Sequence, residues 1–300
     1  VNARTILGTA TRLAEFNPRV LVVIANLQLS AGNPDGASYS IYKALQGNPE
    51  DLAALTLAVQ VESRKGDSAK AAVALKTLTA KYPNAVETLR ATADLAMIRG
   101  QFPAAVSSYR KLLARDERTG NMLMLVQAHL GASEQEKASA LLDGWIKTHP
   151  SDLAATKTLA EVQLRSGQLA AAKQTFHSVI KDAPENASSL NNYANVLLRL
   201  NDPLAQEIAE RAVKLEPTHP AYVDTLGWIL HKKGQTDSAL RYLRDARLRN
   251  PDNLVIRFHL ASALAKEGWK DEAKEKLDVE RKTHARVRAS PAVIALREDL

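Results

Sequence analysis

The sequence predicts an all-α fold, a superhelical solenoid of stacked helix-turn-helix units, on three observations. Small residues recur in register every 33 or 34 positions, turn glycines and closing prolines recur with the same period, and alanine and leucine supply most of the apolar mass. Periods of this length mark repeat architectures. Aromatics are only 5% of the 300 residues against an apolar fraction of 45%. That balance suits close-packed helices, because strands favour β-branched and aromatic side chains.

The alanine column runs Ala37, Ala71, Ala105, Ala138, Ala172, Ala205, Ala239 and Ala273. A second column of small or β-branched residues runs Ala25, Val59, Ala93, Val126, Ala160, Ala194, Gly227 and Ala261. Between the two lies a turn glycine at 32, 66, 100, 167, 234 and 268, and six units close at a proline: 49, 83, 150, 184, 217 and 251. Glycine fits a left-handed helix cap, and proline cannot continue a helix. The small residues let two helices approach closely. Leu75, Tyr109, Leu142, Phe176 and Leu243 then fill the space between neighbouring units. A helix of roughly 13 residues, about 20 Å long, cannot bury its apolar stripe alone, so neighbours must stack.

In chain order, residues 1–18 read as the second helix of a preceding unit, closing at Asn17-Pro18, so the chain is expected to begin inside a longer array. Eight units follow over 19–285, at 19–49, 50–83, 84–117, 118–150, 151–184, 185–217, 218–251 and 252–285. The third ends at Arg115-Asp116-Glu117 without its proline. The fourth has Gly131-Ala132-Ser133, its glycine displaced by two, and in the sixth Asn201-Asp202-Pro203 replaces the glycine turn. Both are expected to be altered connections that leave their helices intact. After Ser290-Pro291, residues 286–300 are expected to form a capping helix, since solenoids need their last apolar face covered.

These columns resemble the tetratricopeptide repeat (TPR), a helix-turn-helix unit of about 34 residues. The stretch TLGWILHKKGQTDSALRYLRDARLRNP, ending at Pro251, matches that pattern at nearly every position. The resemblance implies a scaffold that binds a partner along its concave side. It does not choose the partner, because one fold hosts many functions.

Composition excludes several other functions. No apolar run approaches the length of a membrane helix. There is no cysteine, hence no disulfide, thiolate metal site or cysteine nucleophile. The net charge of +7 is spread through the thirds of the chain as +3, +2 and +2, whereas nucleic acid recruits a concentrated basic face. The densest basic cluster, Arg241, Arg244, Arg247 and Arg249, has Asp245 inside it and reads as a solvated helix face. The seven histidines show no pair at ligand spacing on one helix, and no phosphate loop, HExxH or GxSxG occurs. No cofactor, metal or catalytic residue is therefore expected.

In a stacked helix-pair solenoid the first helix of each unit lines the concave side. The position after the small residue should face the groove, and it holds Asn26, Gln60, Asp94, Gln127, Glu161, Asn195, Trp228 and Ser262. One turn earlier, Asn191, Asp224 and Phe258 join them, with Asn192 alongside. Amides and carboxylates can fix an extended backbone or sugar hydroxyls, and an aromatic face can stack on a sugar or clamp an apolar side chain. A solvent-facing column is also polar for solubility, and Trp228 can equally pack as core between first helices. By resemblance, Asn192 falls where some TPR members carry a peptide-binding asparagine. A two-carboxylate clamp is not expected, since Asp224 stands where the clamp needs a basic residue.

The closing units, from YVDTLGW through IRFHLASALAKEG, are similar to bacterial TPR lipoproteins of exopolysaccharide synthesis and of PEP-CTERM protein sorting, the PrsT type. The resemblance implies a periplasmic scaffold tethered by a lipidated cysteine upstream of Val1, binding a protein or peptide and in some readings a polysaccharide. Two other readings stay open: a carbohydrate-binding module, which needs several exposed aromatics along the groove, and a cytoplasmic adaptor or substrate-holding arm of a transferase.

Overall fold

A computed structural model describes residues 3–278, all of whose regular structure is α-helical. The chain divides into two compact units, residues 1–145 and 146–300.

The first unit contains α1 (Ala3–Leu13), α2 (Pro18–Ser30), α3 (Pro34–Gly47), α4 (Leu52–Arg64), α5 (Ser68–Lys81), α6 (Val86–Ile98), α7 (Phe102–Arg115), α8 (Thr119–Gly131) and most of α9 (Gln135–Thr148). Helices α2/α3, α4/α5 and α6/α7 pack as consecutive pairs, and the first helices α2, α4 and α6 also touch in sequence. The second unit repeats the scheme with α10 (Leu153–Arg165), α11 (Leu169–Asp182), α12 (Ala187–Arg199), α13 (Ala205–Leu215), α14 (Pro220–Lys232), α15 (Thr236–Arg249), α16 (Leu254–Lys266) and α17 (Lys270–Asp278). Here α10, α12, α14 and α16 lie side by side, each with its own second helix behind it. The capping helix expected over 286–300 lies outside the described residues.

Local chemistry sets the helix starts. After the closing proline, an Asx side chain caps the next first helix: Asp51 accepts from the Ala54 amide at 2.8 Å, Asp152 from Ala155 at 3.0 Å and Asn186 from Ser189 at 2.9 Å. These bonds satisfy amide donors that the first helical turn leaves without partners.

The turns correct the expectation for the fourth and sixth units. The left-handed residue is the same column throughout, from Gly32 (φ 68°) to Gly268 (φ 81°), and Ser133 (φ 59°) and Asn201 (φ 54°) occupy it where glycine is missing. Both complete the double backbone bond of a Schellman cap. Ser133 and Glu134 amides donate to the carbonyls of Leu130 and His129, and Asn201 and Asp202 amides donate to those of Leu198 and Leu197. Gly131 is therefore not a displaced turn glycine. It is helical, and a Cβ there would lie 2.4 Å from the Phe102 ring. The sixth connection does shorten its helix: α13 has 11 residues against 14 in α11 and α15.

The core follows the two columns. Every alanine of the first is buried, as is every member of the second. Tyr109, Leu142, Phe176 and Leu243 are fully or almost fully buried between the helices, and Leu75 packs partly buried beside Leu55 and Leu78.

Candidate functional site

The first helices of the second unit bring together a mixed aromatic, imidazole and amide surface. Asp224 on α14 is only 6% exposed, and its carboxylate accepts from Nδ1 of His259 on α16 at 2.9 and 3.0 Å. That bond turns the His259 ring flat against Trp228, one turn beyond Asp224, with centroids 4.1 Å apart and planes within 13°. His231 stacks on the same indole at 5.0 Å, Phe258 leans on it at 6.1 Å, and the Lys232 ammonium sits 4.4 Å from its centroid. Trp228 thus joins α14 to α16 and remains partly exposed.

Burial pushes the His231 imidazolium down to about 4, with Lys266, Lys232 and His259 adding smaller like-charge effects. His231 is accordingly neutral at physiological pH and stacks on Trp228 without adding a cation beside Lys232. Its Nδ1 is buried without a hydrogen-bond partner.

On α12, Asn195 donates to the Asn191 carbonyl at 3.1 Å and reaches the Thr225 hydroxyl on α14 at 3.5 Å. Asn192 and Asn195 are both partly exposed. Ser262 on α16 bonds back to the Phe258 carbonyl, and Glu161 on α10 is partly exposed.

Two of the residues read as groove-facing are withdrawn from solvent. Asn191 is 8% exposed and Asp224, held against His259 of the next first helix, is 6%, whereas Phe258 in the same column stays partly exposed. Asp224 positions His259 and offers no free carboxylate to a ligand.

In the first unit, Asn26, Gln60 and Gln127 are exposed and Asp94 partly so. Asn26 folds back on the Val22 carbonyl. Gln60 and Asp94 line one small cavity of about 260 Å³ between α4 and α6. Asp94 is largely committed inward, since it accepts from the Tyr109 hydroxyl on α7. Burial, reinforced by that bond, pushes the Tyr109 phenol well above its ordinary range.

Sequence reading passed over His231, His259 and Lys232, which surround Trp228. They lie three, 31 and four residues from it, and the useful signal is their aromatic neighbour rather than any metal-ligand pattern. Among the described residues no group of histidine, aspartate and glutamate has the geometry of a metal site.

Stacked helix pairs with polar first-helix faces define a repeat protein built to display binding surface. The chain belongs to the tetratricopeptide repeat family, whose sequence pattern matches residues 56–119, 157–220 and 225–283. This family's fold is a protein-interaction scaffold, generally without catalytic activity. A TPR repeat-containing protein of Pseudomonas aeruginosa is 30% identical over 168 residues, which cover 54% of this chain and 28% of that protein. The cellulose synthase 1 operon protein C of Komagataeibacter xylinus is 27% identical over 80% of this chain and 17% of its own length. Its counterpart in Pseudomonas fluorescens is 28% identical over 71% and 17%. The chain therefore spans less than a third of the length of these curated relatives. A tetratricopeptide repeat protein from Parabacteroides merdae superposes with a TM-score of 0.60 at 15% identity, covering 83% of this chain and 99% of that structure, which is a likeness of fold alone.

Proposed function

We propose that this chain is a non-catalytic, protein-binding segment of a bacterial exopolysaccharide synthesis or export assembly, and that it lays a partner peptide across the first helices of its second unit. The observation that carries the reading is the surface around Trp228. Partly exposed amides at Asn192 and Asn195 on α12 adjoin α14, which carries a rigid indole–imidazole stack with one ammonium, Lys232, over the indole. Amides can pair with both donor and acceptor groups of an extended backbone. A stack pre-organised by Asp224 holds its shape without an ordering cost on binding. The similarity to two cellulose synthase operon proteins supports the exopolysaccharide setting.

The carbohydrate reading loses support from the same geometry. With an imidazole stacked on it and an ammonium over it, the Trp228 ring has little open face for a sugar. The periplasmic placement, with a lipid anchor outside these 300 residues, belongs to the proposal and rests on the resemblance of the closing repeats. PEP-CTERM sorting is the alternative setting under that same resemblance.

The test is photo-cross-linking in envelopes of a cellulose-producing bacterium, comparing the chain with Asn192→Ala/Asn195→Ala. Those side chains are at the surface, so the substitutions leave the Trp228 stack in place. Cross-links to polysaccharide synthase or export components that vanish in the variant are the expected result. Recovery of polymer without protein would transfer the site to carbohydrate, and capture of cytosolic partners alone would overturn the envelope placement.

A further inference from the structure

The first unit carries a second surface, on the side of its second helices. Helices α3 and α5 stand apart over α4 and leave a groove of about 650 Å³. Tyr39 and Tyr42, three residues apart on one face of α3, form one wall, Val73 and Ala74 on α5 form the other, and Leu55 and Glu62 on α4 line the floor. Tyr39, Tyr42 and Val73 are 55%, 60% and 70% exposed.

Repeat register shows that this composition is local. At the position of Tyr42 the later second helices carry Lys76, Arg110, Asp143, His177, Glu210 and Arg244. At the position of Tyr39 they carry Val73, Ser107, Ala140, Gln174, Glu207 and Arg241. No other second helix carries a tyrosine at either position, so the two tyrosines are not a requirement of the repeat.

Glu62 breaks its column in a second way. The equivalent positions in the first and fifth repeats are Gln28 and Gln163, each receiving a hydrogen bond from a hydroxyl twelve residues on: Ser40 at 2.7 Å and Thr175 at 2.8 Å. Twelve residues after Glu62 stands Ala74, which has nothing to donate. Glu62 is 7% exposed. Its Oε1 accepts from Ser38 at 2.5 Å, while Oε2 is buried without a partner. Lys65 feels the Glu62 charge but pairs with Asp35 at 3.0 Å, and Lys70 pairs with Asp67 at 3.1 Å, so neither ammonium bonds the Glu62 carboxylate. A carboxylate oxygen withdrawn from water without a donor is costly, and a cation brought to it recovers that cost.

We propose that this groove is a second binding site, one that takes a partner protein segment presenting an arginine or lysine among apolar residues. The cationic head seats against Glu62, and the apolar flanks lie on Val73 and on Tyr39 and Tyr42, whose ring faces also favour a cation. The proposal rests on the first unit alone and does not depend on the function assigned to the Trp228 surface.

The experiment uses a synthetic amphipathic peptide with three leucines and a central arginine, and its twin with citrulline, the neutral isostere. Fluorescence anisotropy reads both against the intact chain, Glu62→Gln, and Tyr39→Ser/Tyr42→Ser. Glu62→Gln restores the residue type of Gln28 and Gln163, and the tyrosines are exposed, so both variants keep the fold. The arginine peptide should bind about tenfold or more tighter than the citrulline peptide, a ratio expected of one buried charge-assisted bond. The preference should collapse in Glu62→Gln, and both peptides should weaken in the tyrosine variant. Equal affinity for the two peptides, a preference that survives Glu62→Gln, or no binding of either would overturn the proposal. So would self-association of the chain in sedimentation that the tyrosine variant abolishes, which would make the occupant a second copy.

Discussion

Nδ1 of His259 on α16 donates to both carboxylate oxygens of Asp224 on α14, at 2.9 and 3.0 Å, across 35 residues of sequence. The pair ties two neighbouring first helices together and sets the plane of the imidazole that stacks on Trp228. A hydrogen bond thus fixes an aromatic surface.

That pair should be energetically coupled. Asp224→Ala leaves the His259 N–H in a largely enclosed place without its acceptor and should cost about 1–3 kcal/mol. His259→Ala should cost a similar amount, and the double variant should cost less than the sum. A double-mutant cycle by urea denaturation, with near-UV circular dichroism reporting the indole, checks this. Additive effects would show that the bond contributes nothing beyond packing.

Stability of the second unit should depend on pH through His231. Its pKa falls from an ordinary 6.5 to about 4 on folding, chiefly by burial. Between those values the unfolded chain binds the proton and the folded chain does not, so stability rises with pH across the window. The contribution is fully present above about 6.5 and is lost progressively as pH falls toward 4. Urea melts at several pH values should show this slope, and His231→Phe should flatten it.

The helix pairs and their core were legible because burial follows period, and period survives in one sequence. The turns were legible by position and not by residue type. A search for glycine places a defect at Gly131, whereas the register places the left-handed residue at Ser133. The site was partly legible. The column of Asn195 and Trp228 keeps its exposure, but Asn191 and Asp224, one turn earlier, are buried. Periodicity marks which way a side chain leaves its helix, not how close the next helix stands. The stack of His259 and His231 on Trp228 depends on that distance.

The left-handed column gives its own test. Gly167 has φ 73°, and a Cβ added there meets no atom within 4 Å, so Gly167→Ala incurs only the backbone cost, about 1–2 kcal/mol. Ser133→Gly, at φ 59°, removes that strain and should raise the melting temperature, less the entropy glycine adds to the unfolded chain. Calorimetry on the two variants should give shifts of opposite sign.

Helical glycines should divide by their surroundings. In a helix interior, glycine to alanine ordinarily stabilises by about 1 kcal/mol. Gly144 on α9 meets nothing within 4 Å, and Gly144→Ala should follow that rule. Gly227 on α14 stands in the small-residue column against α15, where a new Cβ would lie 2.8 Å from Cγ of Leu243 and 3.1 Å from Cβ of Tyr242. Leu243 is fully buried and cannot swing away, so the overlap has to be absorbed by the helix pair, at about 1–3 kcal/mol. Overpacking then outweighs propensity, and Gly227→Ala should destabilise. Shortening the obstacle separates the two effects: a Leu243→Ala background removes the approaches to Cγ and Cδ2 of Leu243 and leaves only the 3.1 Å approach to Cβ of Tyr242, so Gly227→Ala should destabilise less there than in the unaltered chain. If Gly227→Ala stabilises the unaltered chain, the close approach of α14 and α15 is not what keeps glycine at that position.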